Sequence, residues 1–166
     1  MKSIIVENIP KIRKNKKILE KKLNIKISIK GTEVSIDGNS ENEYDAEKII
    51  EALDFGFPLE NALKIKEEES VFEIINIKDY TKKRDFARIK SRIIGTKGRT
   101  LRTLCELTKC CFEIKENKIG IIGKYEYIEN AESAVVSLIR GTKHGNIYSR
   151  LEKRQPKPIL DFGLKK

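Results

Sequence analysis

The chain has no tryptophan, one histidine and three cysteines in 166 residues. Cys105, Cys110 and Cys111 are odd in number, two are adjacent, and no C-x-x-C pair exists. That spacing supports neither a zinc site nor a redox dithiol, so the thiols read as reduced, mostly buried small apolar residues. With His144 as the lone imidazole, no Cys/His or Ser/His/Asp set can be assembled, and no catalytic residues are expected. His144 reads as structural, at a turn or helix start. No apolar run approaches the roughly 20 residues of a bilayer span, and the apolar stretch near the N-terminus is too short for a secretory h-region. A cytoplasmic protein without membrane contact is the expectation. Only 39% of residues are hydrophobic and 36% are charged, so the cores are modest. Ile, Leu and Val nevertheless recur with clear periodicity, which argues against disorder.

Charge is unevenly placed. The net charge is +10, carried as +8 over residues 1–30, −10 over 31–77, +8 over 78–109, −2 over 110–139 and +6 over 140–166. A basic block that also contains a glycine break reads as a phosphate-binding surface. Such a block lies around residues 88–102. The acidic residues of 31–77 are spaced as exposed helix positions, so no metal site and no cofactor are expected there.

One order of elements occurs twice. Residues 3–7 read as a strand, 16–23 as a short helix, 25–29 and 33–37 as alternating strands around Gly31. A helix follows, with Ser40 as its cap, Glu43 three residues later, and Ala46, Ile49, Ile50 and Leu53 on one face. The second copy reads as a strand over 72–77, helices over 87–94 and 99–108, strands over 110–114 and 118–123, and a helix over 126–140. Each copy is taken as β-α-α-β-β-α, predicting two α+β modules, each a three-stranded sheet covered on one face by helices. Pro58 starts a connector helix with Leu59, Ala62, Leu63 and Ile65. The expected division is residues 1–68 for the first module with its connector, 69–153 for the second with an extra helix, and 154–166 for a flexible basic tail. The aromatics Phe86, Tyr125, Tyr127 and Tyr148 read as core or edge residues.

The break itself is "RIIGTKGRTL", residues 92–101. Glycines without a Cβ let backbone approach a ligand closely and take positive φ. The helix that follows presents unpaired N–H groups and its positive dipole end, which suits phosphate. Thr96 adds a hydroxyl and Lys97 a mobile charge. Ile93, Ile94 and Leu101 can line an apolar groove for bases, and Arg92, Arg99 and Arg102 can meet phosphates.

The run I-I-G-x-x-G-x-x-L-x-x-L in this setting resembles the KH module, which holds about four nucleotides of single strand against such a loop. "GFPLENALKI", "EIINIKDYTKKRDFARIKSRIIGTKGRT" and "GTKHGNIYSRLEK" are similar to the archaeal ribosome-assembly KH proteins of the partner-of-Nob (Dim-two, Krr-like) family, over nearly the whole chain to about Lys153. The resemblance implies two tandem type I KH modules that bind the 3′ end region of small-subunit rRNA. It also implies action beside the Nob endonuclease, with association to the α subunit of initiation factor two in some relatives. Carried over by position, Gly95, Thr96, Lys97 and Gly98 form the clamp, and Arg92 and Arg99 its charged flanks.

The first module departs from the pattern. Arg13-Lys14-Asn15-Lys16 stands where G-x-x-G is due, and both glycines are missing. Side chains there obstruct close backbone approach, so this copy is expected to have lost the clamp. Its lysines can still hold RNA without reading sequence. A second reading makes the chain chiefly an adaptor that docks a nuclease or an initiation factor through the acidic face of 31–77.

Overall fold

The computed structural model of the protein describes residues 1–154; the expected tail, apart from Arg154, lies outside them. The first half runs β1 (Lys2–Ile5), α1 (Ile9–Leu23), β2 (Lys26–Lys30), β3 (Glu33–Asp37) and α2 (Ser40–Phe55). The connector holds α3 (Leu59–Ala62) and a 3-10 turn (Leu63–Lys66). The second half runs β4 (Ser70–Asn76), α4 (Phe86–Ile94), α5 (Arg99–Thr108), β5 (Cys111–Lys115), β6 (Lys118–Lys124) and α6 (Tyr125–Ile139), followed by α7 (His144–Arg154). Each half has one antiparallel three-stranded sheet, in the orders β1-β3-β2 and β4-β6-β5.

The two halves differ where the sequence predicted sameness. The first contains one 15-residue helix in place of two. Asn8 caps it by accepting from the Lys11 N–H, Pro10 sits in its first turn, and Ile12, Leu19 and Leu23 form its buried stripe. Residues 13–16 contain no breaker, so the helix passes straight through them. It ends at Asn24, which takes the left-handed conformation (φ 52°). A smaller correction falls on α2. Its cap is Asn39, not Ser40, with Asn39 Oδ1 accepting from the Asn42 N–H at 2.8 Å. Glu43 still reaches back, but to the Gly38 N–H at 3.0 Å.

Burial along β6 shows how the halves fit. Ile121 and Ile122 are neighbours in a strand and therefore face opposite sides of the sheet. Both are buried. On one side Ile75, Phe112, Ile119 and Ile121 pack beneath helices α4 to α7. On the other, Ile122 and Phe72 join the core of the first half. There Phe55, Phe57 and Phe72 form a ring cluster with centroids 5.7–6.0 Å apart. A Cβ at Gly120 would lie 2.8 Å from both Phe55 and Phe57, so the bare glycine lets the rings rest on the sheet. The connector was expected to pack rather than swing, and its Ala62 and Ile65 are buried in the same core.

Polar contacts tie α1 to the connector and to α2, and β5 to the first half. Lys11 Nζ donates to the Phe57 carbonyl at 2.6 Å. Asp54 Oδ1 accepts from the Glu7 and Asn8 N–H groups at 3.0 and 2.7 Å. Lys115 reaches Glu7 at 3.0 Å. Burial lowers the Lys11 pKa and raises that of Glu113 nearby.

Candidate nucleic-acid interface

α4 is nine residues long and strongly two-faced, with Ile89 and Ile93 buried. Asp85 caps its start by accepting from the Arg88 N–H at 3.2 Å. The helix stops at Gly95, whose φ of 76° and ψ of 171° only glycine adopts readily. A Cβ there would collide with the Thr100 hydroxyl and lie 2.7 Å from the Thr100 nitrogen. Thr100 is buried, so it cannot retreat. Lys97 (φ 54°) and Gly98 (φ 75°) then turn the chain left-handed and start α5. Arg102 braces the tip through Nη2, which donates to the Lys97 carbonyl at 2.9 Å.

Gly98 is different from Gly95. A Cβ on Gly98 would meet nothing within 4 Å. It caps α5, a ten-residue helix, and no side chain occupies that cap. The open space lies outside the protein, at a positive helix end. Thr96, Lys97, Arg99 and Arg102 are exposed around it, and Ile94 is 38% exposed beside it. Leu101 is half-buried against the second core. Eight of the nine predicted contact residues, Ile94, Gly95, Thr96, Lys97, Gly98, Arg99, Leu101 and Arg102, therefore lie at one junction of α4 and α5.

Arg92, the ninth, lines the cleft beside the loop and also has a structural engagement. Its guanidinium turns to the end of α6 and donates to the carbonyls of Leu138 (2.5 Å) and Thr142 (2.7 Å). It was expected as a charged flank for RNA. Carbonyls at a helix C-terminus need donors, and Arg92 adds one to Leu138 in the last turn of α6, beside the Gly141 N–H, and one to Thr142 in the turn that follows. His144, expected to be structural, holds the same residue by its backbone: Nε2 donates to the Arg92 carbonyl at 2.9 Å. Arg92 is thus fixed at both ends, and the loop starts from a rigid post.

Other residues at the site were not singled out as contacts. A cleft of about 370 Å³ runs beside the loop, and Arg88, Arg92, Gly95, Thr96, Thr100, His144 and Tyr148 are among the residues that line it. Arg88 sits one turn before Arg92, and helical spacing alone could have flagged it. Thr100 was detectable only as a polar residue on the apolar face of α5. Of the aromatics, Phe86, Tyr127 and Tyr148 are half-buried against the core, whereas Tyr125 is 74% exposed, against the expectation. All three cysteines are free thiols; Cys110 is buried and the other two are half-buried. Among the described residues no group of three or more His, Cys, Asp and Glu is placed to hold a metal ion. No helix among them is long and apolar enough to cross a membrane.

In the first half the corresponding residues, 13–16, have helical backbone and no exposed loop amides. Asn15 even reinforces the helix by donating to the Lys11 carbonyl at 2.9 Å. The glycine-lined junction exists once among the described residues.

Residues 71–156 match the family model of a eukaryotic-type KH domain (KH-domain type I), that of the second KH domain of Pno1. The chain is 34% identical to a KH domain-containing protein of Methanocaldococcus jannaschii, over 94% of its own length and 76% of that relative's. The chain belongs to the Pno1/Dim2 family of KH proteins. Solved KH structures agree in fold. Dim2p from Pyrococcus horikoshii superposes with a TM-score of 0.84 at 31% identity, covering 92% of this chain and 98% of that one. A crystal structure of an a/eIF2alpha–aDim2p–rRNA complex from the same organism contains a chain with a TM-score of 0.84 at 30% identity, with 92% of each covered. The pre-rRNA-processing protein pno1 of Emericella nidulans is 28% identical over 80% of this KH chain, which spans about half (55%) of that relative's length.

Proposed function

We propose that the protein binds single-stranded RNA, at the 3′ end region of small-subunit rRNA, during ribosome maturation. It acts by binding, not by catalysis, in the cytoplasm. The observation that carries the reading is Gly98: a left-handed glycine whose missing Cβ faces open space at an uncapped helix end, ringed by exposed Thr96, Lys97, Arg99 and Arg102. An RNA backbone can pack against that spot, with phosphate on the α5 amides and bases over Ile94 and Leu101. We read the chain as two tandem type I modules, residues 1–68 and 69–153. The first has replaced its clamp with continuous helix and serves as packing partner to the second sheet. Its exposed Arg13, Lys14 and Lys17 add only sequence-independent attraction.

A second role is supported by the solved complex that pairs a related chain with a/eIF2alpha and rRNA. Docking of an initiation factor two α subunit, or of a Nob-type endonuclease, to the acidic face of α2 is compatible with RNA held at the loop.

The test is titration of a single-stranded RNA matching the 3′ end of small-subunit rRNA. Thr96→Asp with Lys97→Asp should lower affinity tenfold or more. Charge reversal at Lys14 and Lys16 should remove only salt-sensitive binding common to all sequences. Equal affinity of the loop variant and wild type would put the adaptor role first.

A further inference from the structure

A second cleft, of about 330 Å³, opens at the far end of α5 from the loop. Three lysines from three separate elements line it: Lys64 from the connector, Lys109 from the end of α5, and Lys124 from the end of β6. None is in an ion pair among the described residues, and Glu67 is the one carboxylate on the wall. Lysines that line one cleft with a single carboxylate favour an anion there. Two details shape the wall. Lys109 takes a left-handed conformation (φ 58°) and carries its ammonium 5.7 Å from the centre of the Tyr127 ring. α6, a 15-residue helix, starts just past Lys124 with no side-chain cap, and its Tyr125 N–H donates to the Glu69 carbonyl at 2.7 Å. The other walls are small or apolar: Ser70, Ile122, Gly123 and Cys111, whose sulfur accepts from Lys64 Nζ at 3.7 Å.

Cations, a half-buried aromatic ring and a volume near the lower limit of ligand pockets match one nucleotide unit. We propose that this cleft is a second RNA contact, in which Lys64 and Lys124 take a phosphate and its base replaces the Lys109 ammonium over the Tyr127 ring. The proposal rests on the RNA-binding reading above. α5 spans about 15 Å between the two sites, so a strand clamped at the loop reaches the cleft only when it extends beyond the roughly four nucleotides of the groove.

Two variants test it: Lys64→Ala with Lys124→Ala, and Tyr127→Leu, which keeps apolar packing. Each is checked for an unchanged thermal transition and titrated with a single-stranded tetramer and a twelve-mer over a range of salt. For the twelve-mer, the double lysine variant should flatten the plot of log affinity against log salt by about 1.4, two contacts' worth for a single strand. Tyr127→Leu should weaken the twelve-mer about tenfold, the size of one base–ring stack. Tetramer binding should not change. A twelve-mer that ignores all three substitutions, or a tetramer weakened equally, overturns the proposal.

If the wild type bound neither RNA, the functional reading would fail first, and the RNA contact proposed here with it. Adenosine monophosphate and inorganic phosphate, titrated separately while the Tyr127 ring protons are followed by NMR, distinguish the causes. A shift with the nucleotide alone identifies a free nucleotide as the occupant. No shift, or the same shift with phosphate, removes the base-stacking site altogether.

Discussion

The Thr100 hydroxyl fills the space that a Cβ on Gly95 would need. Gly98, three residues on, has nothing of the protein near its missing Cβ. The two glycines of one motif thus serve different ends, and alanine substitution should separate them. Gly95→Ala combines a backbone region closed to alanine with a collision against a buried residue. It should cost about 2–3 kcal/mol of stability, read as a lowered thermal midpoint. Gly98→Ala should cost only about 1 kcal/mol, the ordinary left-handed penalty. RNA affinity should nevertheless fall further than that figure, because the new methyl points at the ligand. If Gly98→Ala bound RNA as wild type does, close backbone approach would not be how the loop works.

The Arg92 contacts make a second distinction measurable. A phosphate contact shows in the salt dependence of binding; a structural contact shows in stability. Arg92→Ala removes the side-chain donor to the Thr142 carbonyl and one of the donors to the Leu138 carbonyl, which keeps the Gly141 N–H at 3.2 Å, and should cost about 1–3 kcal/mol. The slope of log affinity against log salt should stay where it is. Arg99→Ala should do the reverse: stability close to wild type, and a slope reduced by about 0.7. A reduced slope in the Arg92 variant would show that it also meets RNA.

These cases also show what the sequence could and could not reveal. The loop was legible because two runs of helical period meet at paired glycines, a purely local signal. The role of Arg92 was not, because its partners lie 46 and 50 residues downstream and are backbone carbonyls, which carry no sequence signature. The split of the first helix was an error of analogy. The repeat suggested two helices, while Arg13-Lys14-Asn15-Lys16 contained no residue able to stop one. The double burial of β6 stood in plain view as the adjacent pair Ile121 and Ile122, but only the folded chain shows what covers the second face. The lysines of the far cleft are separated by 45 and 15 residues in sequence and are joined by topology alone.

Cys110 supplies a test at alkaline pH. Burial pushes its thiol up to about 12, and its sulfur packs on Gly123. The unfolded thiol ionises near its ordinary value of about 8.5. Between those values the unfolded chain has lost this proton while the folded chain keeps it. Stability due to this group is therefore complete below about pH 8 and falls as pH rises, by at most about 1.4 kcal/mol per pH unit. Urea unfolding at several pH values should show that decline in wild type and a flatter one in Cys110→Ala. At neutral pH an aromatic disulfide reagent should leave Cys110 unmodified in the native protein and label all three thiols in urea. Rapid labelling of Cys110 under native conditions would contradict its burial.

Phe57 provides the test of whether the two halves act as one folding unit. It is fully buried, lies 5.7–6.0 Å ring to ring from Phe55 and Phe72, and rests over Gly120 in the centre of the second sheet. Its own carbonyl accepts from Lys11, so the seam runs from α1 through the connector to β6. Truncating such a ring typically costs about 3–5 kcal/mol. The loss should not be confined to the first half, because Phe57, with Phe55 and the connector, covers the face of the second sheet that carries Ile122 and Phe72. In the wild type, the slowest amide hydrogens of β3 and of β6 should therefore exchange with the same opening free energy, as members of one cooperative unit. In Phe57→Ala both should speed up together, and by the same free energy. If β3 amides lost protection while β6 amides kept theirs, the halves would be independent. The second module would then owe nothing to the first for the shape of its RNA-binding side, and truncation to residues 69–153 should leave loop affinity unchanged.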